Sequence, residues 1–201
     1  MKKDLINDIK TILADHDANE SETIRKIKKL MLMDEKPDFS KMQPGDKFSY
    51  RGKDWIFLGI EPSVGKNEDG ALCITEKIYA EIPFDTDGCN NWCKSSVRKE
   101  LEKKFLPTLD KEDLLPFVMD LTADNGDKSY GFAIELVGIL SCDLYRKYRE
   151  FVPLFSEWMW TCTPWVCNSP YERDVNTDGS LGGRYAGYSH GVVPACLFKI
   201  Q

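Results

Sequence analysis

The sequence predicts an α+β protein: a helical hairpin over residues 1–36, then a body over residues 37–201 of short mixed strands with two helices. Three observations predict it. Apolar side chains recur at helical spacing from Leu5 to Met31. Aromatic residues alternate with other residues soon after Pro37, as they do in a strand. The stretch from Trp158 to Ile200 holds three of the five tryptophans and three of the eight tyrosines, Tyr171, Tyr185 and Tyr188, among Asn, Asp, Gly, Ser and Pro. It is too aromatic for a solvated tail and too rich in turn residues for a helix, so it reads as short strands and ordered loops.

Leu5, Ile6, Ile9, Ile12 and Leu13 form one helical stripe. After a polar linker, with Asn19 or Ser21 as N-cap, a second helix carries Ile24, Ile27, Leu30 and Met31. Two short helices bury such stripes poorly alone, so the pair is expected to pack on the body. Self-association or docking onto a partner is the sharper alternative. Pro37, Pro44 and Gly45 mark a boundary. Phe48 and Tyr50 alternate before Arg51-Gly52, and Trp55 and Phe57 after it, which predicts a β-hairpin. Residues 71–80 read as a further strand. Val97, Leu101 and Phe105 make the stripe of a helix from Lys94 to Leu106, capped by Ser95 or Ser96 and ended by Pro107. Residues 111–118 read as another turn or two of helix. Residues 132–140 read as a buried strand. Ser141 caps a short helix that Pro153 stops.

Net charge is −6, and residues 1–36 balance eight Lys/Arg against eight Asp/Glu, so the excess acid lies in the body. A mildly acidic body argues against direct nucleic-acid binding, which draws on clustered cations, and suits a basic protein partner. No apolar run reaches the ~18–20 residues of a membrane helix, and the N-terminal residues carry charges through their apolar positions, so a cytoplasmic, membrane-free protein is expected. Seven cysteines, an odd number, read as reduced thiols, mostly small buried hydrophobes. Cys89 and Cys93 have permissible zinc spacing but no second pair, and Asp85-Thr86-Asp87-Gly88 lacks the rest of a calcium loop. No phosphate-binding loop, dinucleotide fingerprint, nucleophile elbow or His-Glu-x-x-His pattern is present. Neither a cofactor nor a metal is expected.

Several short motifs follow one another in a definite order. They are Gly45-Asp46-Lys47-Phe48, Trp55, Trp92 to Arg98, Gly138 to Ser141, Asp143 to Tyr148, Trp160 to Pro164, Val175 to Gly179, and Gly191 to Ala195. Together, over residues 44–200, they resemble an uncharacterised family of bacterial and phage proteins. That family ends in a tryptophan-rich strand, a Ser-Asp-Gly turn and a Gly-Val-Arg-Pro-Ala strand. This ending in turn resembles the C-type-lectin-like fold, shared by the variable receptor-binding proteins of retroelements and by formylglycine-generating enzymes. The resemblance implies a C-type-lectin-like domain over residues 37–201 and a phage or mobile-element origin. It leaves residues 1–36 as an addition. Two arginines of the family pattern are replaced here, by Cys162 and Val193.

The receptor-binding members display their binding surface in this same C-terminal region. Here it offers Trp165, Tyr171, Arg184, Tyr185 and Tyr188, the residue types that anchor protein interfaces. The expected function is a non-enzymatic protein-binding module. Its specific form is an acidic inhibitor that covers the basic channel of a host defence nuclease. The competing class is a thiol-dependent enzyme related to formylglycine-generating enzymes, using Cys162, Cys167 or Cys196 with His190. Spacing does not indicate such a dyad.

Overall fold

The computed structural model describes residues 36–65 and 68–200. The predicted N-terminal hairpin lies outside the described residues, apart from Lys36. Two five-stranded sheets and a two-stranded ribbon make up most of the body, with two short α-helices between them.

The first sheet begins with the predicted hairpin. β1 (Lys47–Tyr50) pairs antiparallel with β2 (Lys53–Pro62) across Arg51 and Gly52, whose φ angles of 52° and 68° are those of a two-residue primed turn. β3 (Asp69–Thr75) continues the meander, with a bulge between Phe57 and Gly59 of β2. β4 (Ala80–Pro83) then leaves for the second sheet.

The expected helix follows in mixed form. Ser95 accepts a hydrogen bond from the Arg98 amide and caps α1 (Ser96–Glu100), which widens into a π-helical turn, Leu101–Phe105, and closes with a 3-10 turn containing Pro107. The stripe of Val97, Leu101 and Phe105 is fully buried. Residues 111–118 depart from expectation. Only Lys111–Asp113 is helical, as one 3-10 turn. The chain then extends into β5 (Leu114–Leu115) and β6 (Phe117–Asp120). Adjacent Leu114 and Leu115 are both buried, and β5 pairs with the closing strand of the chain, Ala195–Lys199.

The expected buried strand over 132–140 is also corrected. Only β7 (Phe132–Glu135) is strand, and it pairs with β6 as a ribbon whose outer face leaves Val118, Phe132 and Ile134 exposed. Its inner face carries Phe117, Met119 and Ala133 into the core. Ser141 caps α2 (Cys142–Lys147) by accepting from the Leu144 amide.

The C-terminal third supplies five strands: β8 (Met159–Pro164), β9 (Tyr171–Val175), β10 (Leu181–Tyr185), β11 (Ser189–Val192) and β12 (Ala195–Lys199). The second sheet runs β10-β9-β8-β11-β4, and the first runs β1-β2-β3-β12-β5. β12 therefore returns to an inner position of the first sheet, between β3 and β5, and its Phe198 meets the rings of Phe39, Phe48, Tyr50 and Trp55. Trp160 of β8 packs on Phe84 and His190 in the second. One continuous core joins both sheets. No helix among the described residues is long and apolar enough to cross a membrane.

Candidate partner-binding surface

The β9–β10 hairpin carries most of the predicted contact residues, and its turn is closed by local polar chemistry. The Asp178 carboxylate accepts from the Ser180 amide (2.9 Å) and hydroxyl (2.6 Å), which lowers its pKa. The Asn176 side-chain amide donates to the Ser180 hydroxyl (2.9 Å), and Gly179 takes φ of 84°, which suits glycine. The turn is thus rigid without any ligand.

Strand alternation sends Tyr171, Arg173, Gly183 and Tyr185 to one face. Tyr171 and Tyr185 are direct cross-strand partners, and Tyr188 meets Tyr185 edge-on with centroids 5.5 Å apart. Trp165 joins them because Gly183 has no side chain: a Cβ there would lie 2.0 Å from the indole. The Arg173 guanidinium stacks 4.7 Å from the Trp165 ring and reaches Asp124. Trp165, Tyr171, Tyr185 and Tyr188 are 44%, 49%, 39% and 59% exposed. Large aromatics carry ~150–250 Å² each, so four at about half exposure offer on the order of 400 Å². That matches the largest apolar patch of a typical monomer, which is often functional.

Arg184 does not join this patch. It alternates to the opposite face, where its guanidinium covers the Trp158 ring at 4.3 Å. Beneath it lies a buried polar group that the sequence reading missed. Glu172 and Asp174 are fully buried, and His190 nearly so, between Trp158 and Trp160. Among the described residues, the carboxylate oxygens of both acids and His190 Nε2 find no hydrogen-bond partner. Asp174 Oδ2 lies 3.9 Å from Nε2, beyond hydrogen-bond reach. Burial raises the Glu172 and Asp174 pKa values, and Arg184 partly offsets this for Asp174. Burial, helped by Arg184, lowers that of His190 to about 4. His190 is therefore neutral near pH 7, and its contact with Asp174 is not an ion pair.

A cleft of about 760 Å³ opens elsewhere, between α2, the β6–β7 ribbon and the end of β2. Pro62, Val64, Phe117 and Leu144 line it, and its cations are largely spent: Arg146 pairs with Asp143 and Asp124, and Lys147 with Glu61. Cys142 also lines it, with its thiol raised by burial.

All seven cysteines are free thiols. Burial pushes the Cys162, Cys167 and Cys196 thiols up, which opposes the thiolate a nucleophile needs. His190 faces tryptophans, Asp174 and Arg184, so no Cys–His dyad is assembled around it. At Asp85 the carboxylate accepts from the Asp87 and Cys89 amides and serves a turn. No protein-family model, curated protein or solved structure matches this chain.

Proposed function

We propose that this chain is a non-enzymatic protein-binding module. Its contact surface is the face formed by Trp165, Tyr171, Tyr185 and Tyr188, with Arg173 beneath the indole. One observation carries the reading: four large aromatics stand half-exposed and adjacent on paired strands and the loops that flank them, where core packing does not require them. Aromatics held this way lose little rotamer freedom on binding. The proposed partner is a basic protein, since the chain carries net charge −6. A host nuclease of a defence system, met in the cytoplasm, is the specific form we favour.

The C-type-lectin-like architecture belongs to the same proposal. The tryptophan-bearing β8 and the closing β12 hold inner positions in the two sheets, and helices are few, which supports it. The thiol-enzyme reading draws no comparable support, because the thiols it would use are buried and raised.

The test is affinity capture from host lysate with wild-type bait and a Tyr185→Ala/Tyr188→Ala variant, read by mass spectrometry. The expected result is a basic protein enriched by wild type and depleted at least tenfold with the variant, at unchanged melting temperature. Equal enrichment on both baits would remove the aromatic face from the proposal. Cys162→Ser/Cys196→Ser is expected to leave capture unchanged.

A further inference from the structure

Strand alternation puts a lysine on the core side of the first sheet. β2 turns Trp55 and Phe57 inward, so Lys53, two residues before Trp55, starts on the same face, while Asp54 is exposed. The Lys53 Nζ stands over the Phe105 ring, 5.4 Å from its centroid. A long stem along apolar surface is ordinary for lysine when its head reaches water or an acceptor. Lys53 is half-buried, and among the described residues its ammonium has no carboxylate, carbonyl or hydroxyl partner. The other half-buried lysines there each have one. Lys36 takes the Lys199 carbonyl and Asp113, and Lys199 takes the Glu112 carbonyl. Acids around Lys53 are engaged elsewhere: Glu76 with Lys47, Glu100 with Lys104, and Asp54 with the Ser49 hydroxyl. The ammonium has thus given up hydration and gained no interaction in return. Burial accordingly lowers the Lys53 pKa below its ordinary 10.5, with the Cys196 thiol opposing.

Lys53 lines a cavity of about 260 Å³ between the start of β2, the end of β3, the segment before β4 and the π-helical turn. Thr75, Ile78, Tyr79 and Phe105 line it too, with Asp54 and Lys77. The Tyr79 and Phe105 rings meet edge-on, with centroids 4.9 Å apart. Both hydroxyls are spent, Thr75 on the Lys77 carbonyl (2.8 Å) and Tyr79 on Glu100 (3.5 Å). The volume falls just below the ~300 Å³ at which pockets for drug-sized ligands begin, so it suits a molecule of about one ring. We propose that this cavity is a binding site for a small aldehyde or ketone with an apolar body, which Lys53 captures as an imine. The neutral amine attacks the carbonyl carbon with its lone pair and forms the C–N bond. The carbonyl oxygen leaves as water, carrying the two amine protons, and the C=N bond remains. No oxidant or reductant takes part, and hydrolysis reverses the step. Lysines desolvated in apolar pockets are the ones that form such Schiff bases. A carboxylate beside Lys53 would hold it as ammonium, so the lack of one favours this chemistry. The Phe105 and Tyr79 rings flank the apolar body of the ligand. The site does not depend on the partner reading above.

The experiment treats the full chain with a concentration series of benzaldehyde near pH 7 and traps imines with cyanoborohydride. The reagent delivers hydride to the C=N carbon and leaves a secondary amine, which peptide mapping quantifies at each lysine. The expected result is that Lys53 labels at least threefold faster than exposed Lys99 and Lys128. Its rate should also saturate with benzaldehyde, whereas theirs rises linearly. Labelling of Lys53 no faster than these two overturns the proposal. Fast labelling that never saturates also overturns it, since the amine would then be reactive without a binding site. On intact protein, Lys53→Met is expected to lose the fast saturating phase and keep the slow one. A fast phase that survives this substitution removes Lys53 from the site.

Discussion

Phe198 has four aromatic rings around it, with centroids between 5.1 and 6.0 Å. Phe198→Ala is expected to cost about 3–5 kcal/mol, since so many fixed rings cannot collapse into the void. Phe132→Ala, on the bare face of the ribbon, is expected within about 0.5 kcal/mol of wild type. Urea midpoints at constant m-value measure both. The buried titratable residues act with opposite pH signs. Burial raises the Glu172 pKa above its unfolded value, so its contribution is present at low pH and lost as pH rises through the folded value. Glu172→Gln should therefore melt higher than wild type, with the gap widening toward alkaline pH. His190 is lowered to about 4 from an ordinary 6.5. Its contribution is present above pH 6.5 and lost as pH falls toward 4, so His190→Gln should flatten that acid limb of melting temperature against pH. The sequence marks Glu172 and His190 as ordinary polar residues. Their burial comes from tryptophans and loops brought over them from elsewhere in the chain. Cys162 lies near Glu172 and gives it no cation.

Short-range chemistry decides several elements. Ser95 and Ser141 each accept one orphan amide at a helix start, and alanine at either is expected to cost about 1 kcal/mol. Gly52 meets no atom within 4 Å of where a Cβ would stand, so Gly52→Ala tests backbone conformation alone. With φ at 68° it should cost about 1–2 kcal/mol by thermal or urea unfolding. These features were legible because serine caps and the Arg51-Gly52 turn act within four residues. The ribbon was not. Residues 132–140 are apolar enough to be buried on both sides, yet among the described residues β7 pairs with β6 alone, and Phe132 and Ile134 on its outer face are exposed. Residues 111–118 likewise pattern as helix, but pairing of Leu114 and Leu115 with β12 outweighed propensity.

At the scale of the molecule, the last third of the chain builds most of one sheet and completes the other. β8 to β11 make four of the second sheet's five strands, and β12 crosses to the first. Loss of β12 would remove an inner strand paired with both β3 and β5, so a chain ending at Val193 should show no cooperative urea transition. The place of β10 at the end of the second sheet, among the described residues, is also a property at this scale, since only the sheet order shows it. The proposed contact residues divide here too. Alternation along β10 puts Tyr185 with the exposed aromatics and Arg184 with the buried acids.

The sequence by itself determined the mixed α+β class, the first hairpin, the serine caps and the aromatic, turn-rich character of residues 158–200. Each depends on periodicity or on bonds between near neighbours, which composition and spacing encode directly. Only the tertiary structure decided that Arg184 parts from the tyrosines, that Glu172, Asp174 and His190 are buried together, and that β10 ends the second sheet among the described residues. Those outcomes depend on which strands become neighbours, and strand pairing joins residues far apart in the chain, where local pattern carries no information about the partner.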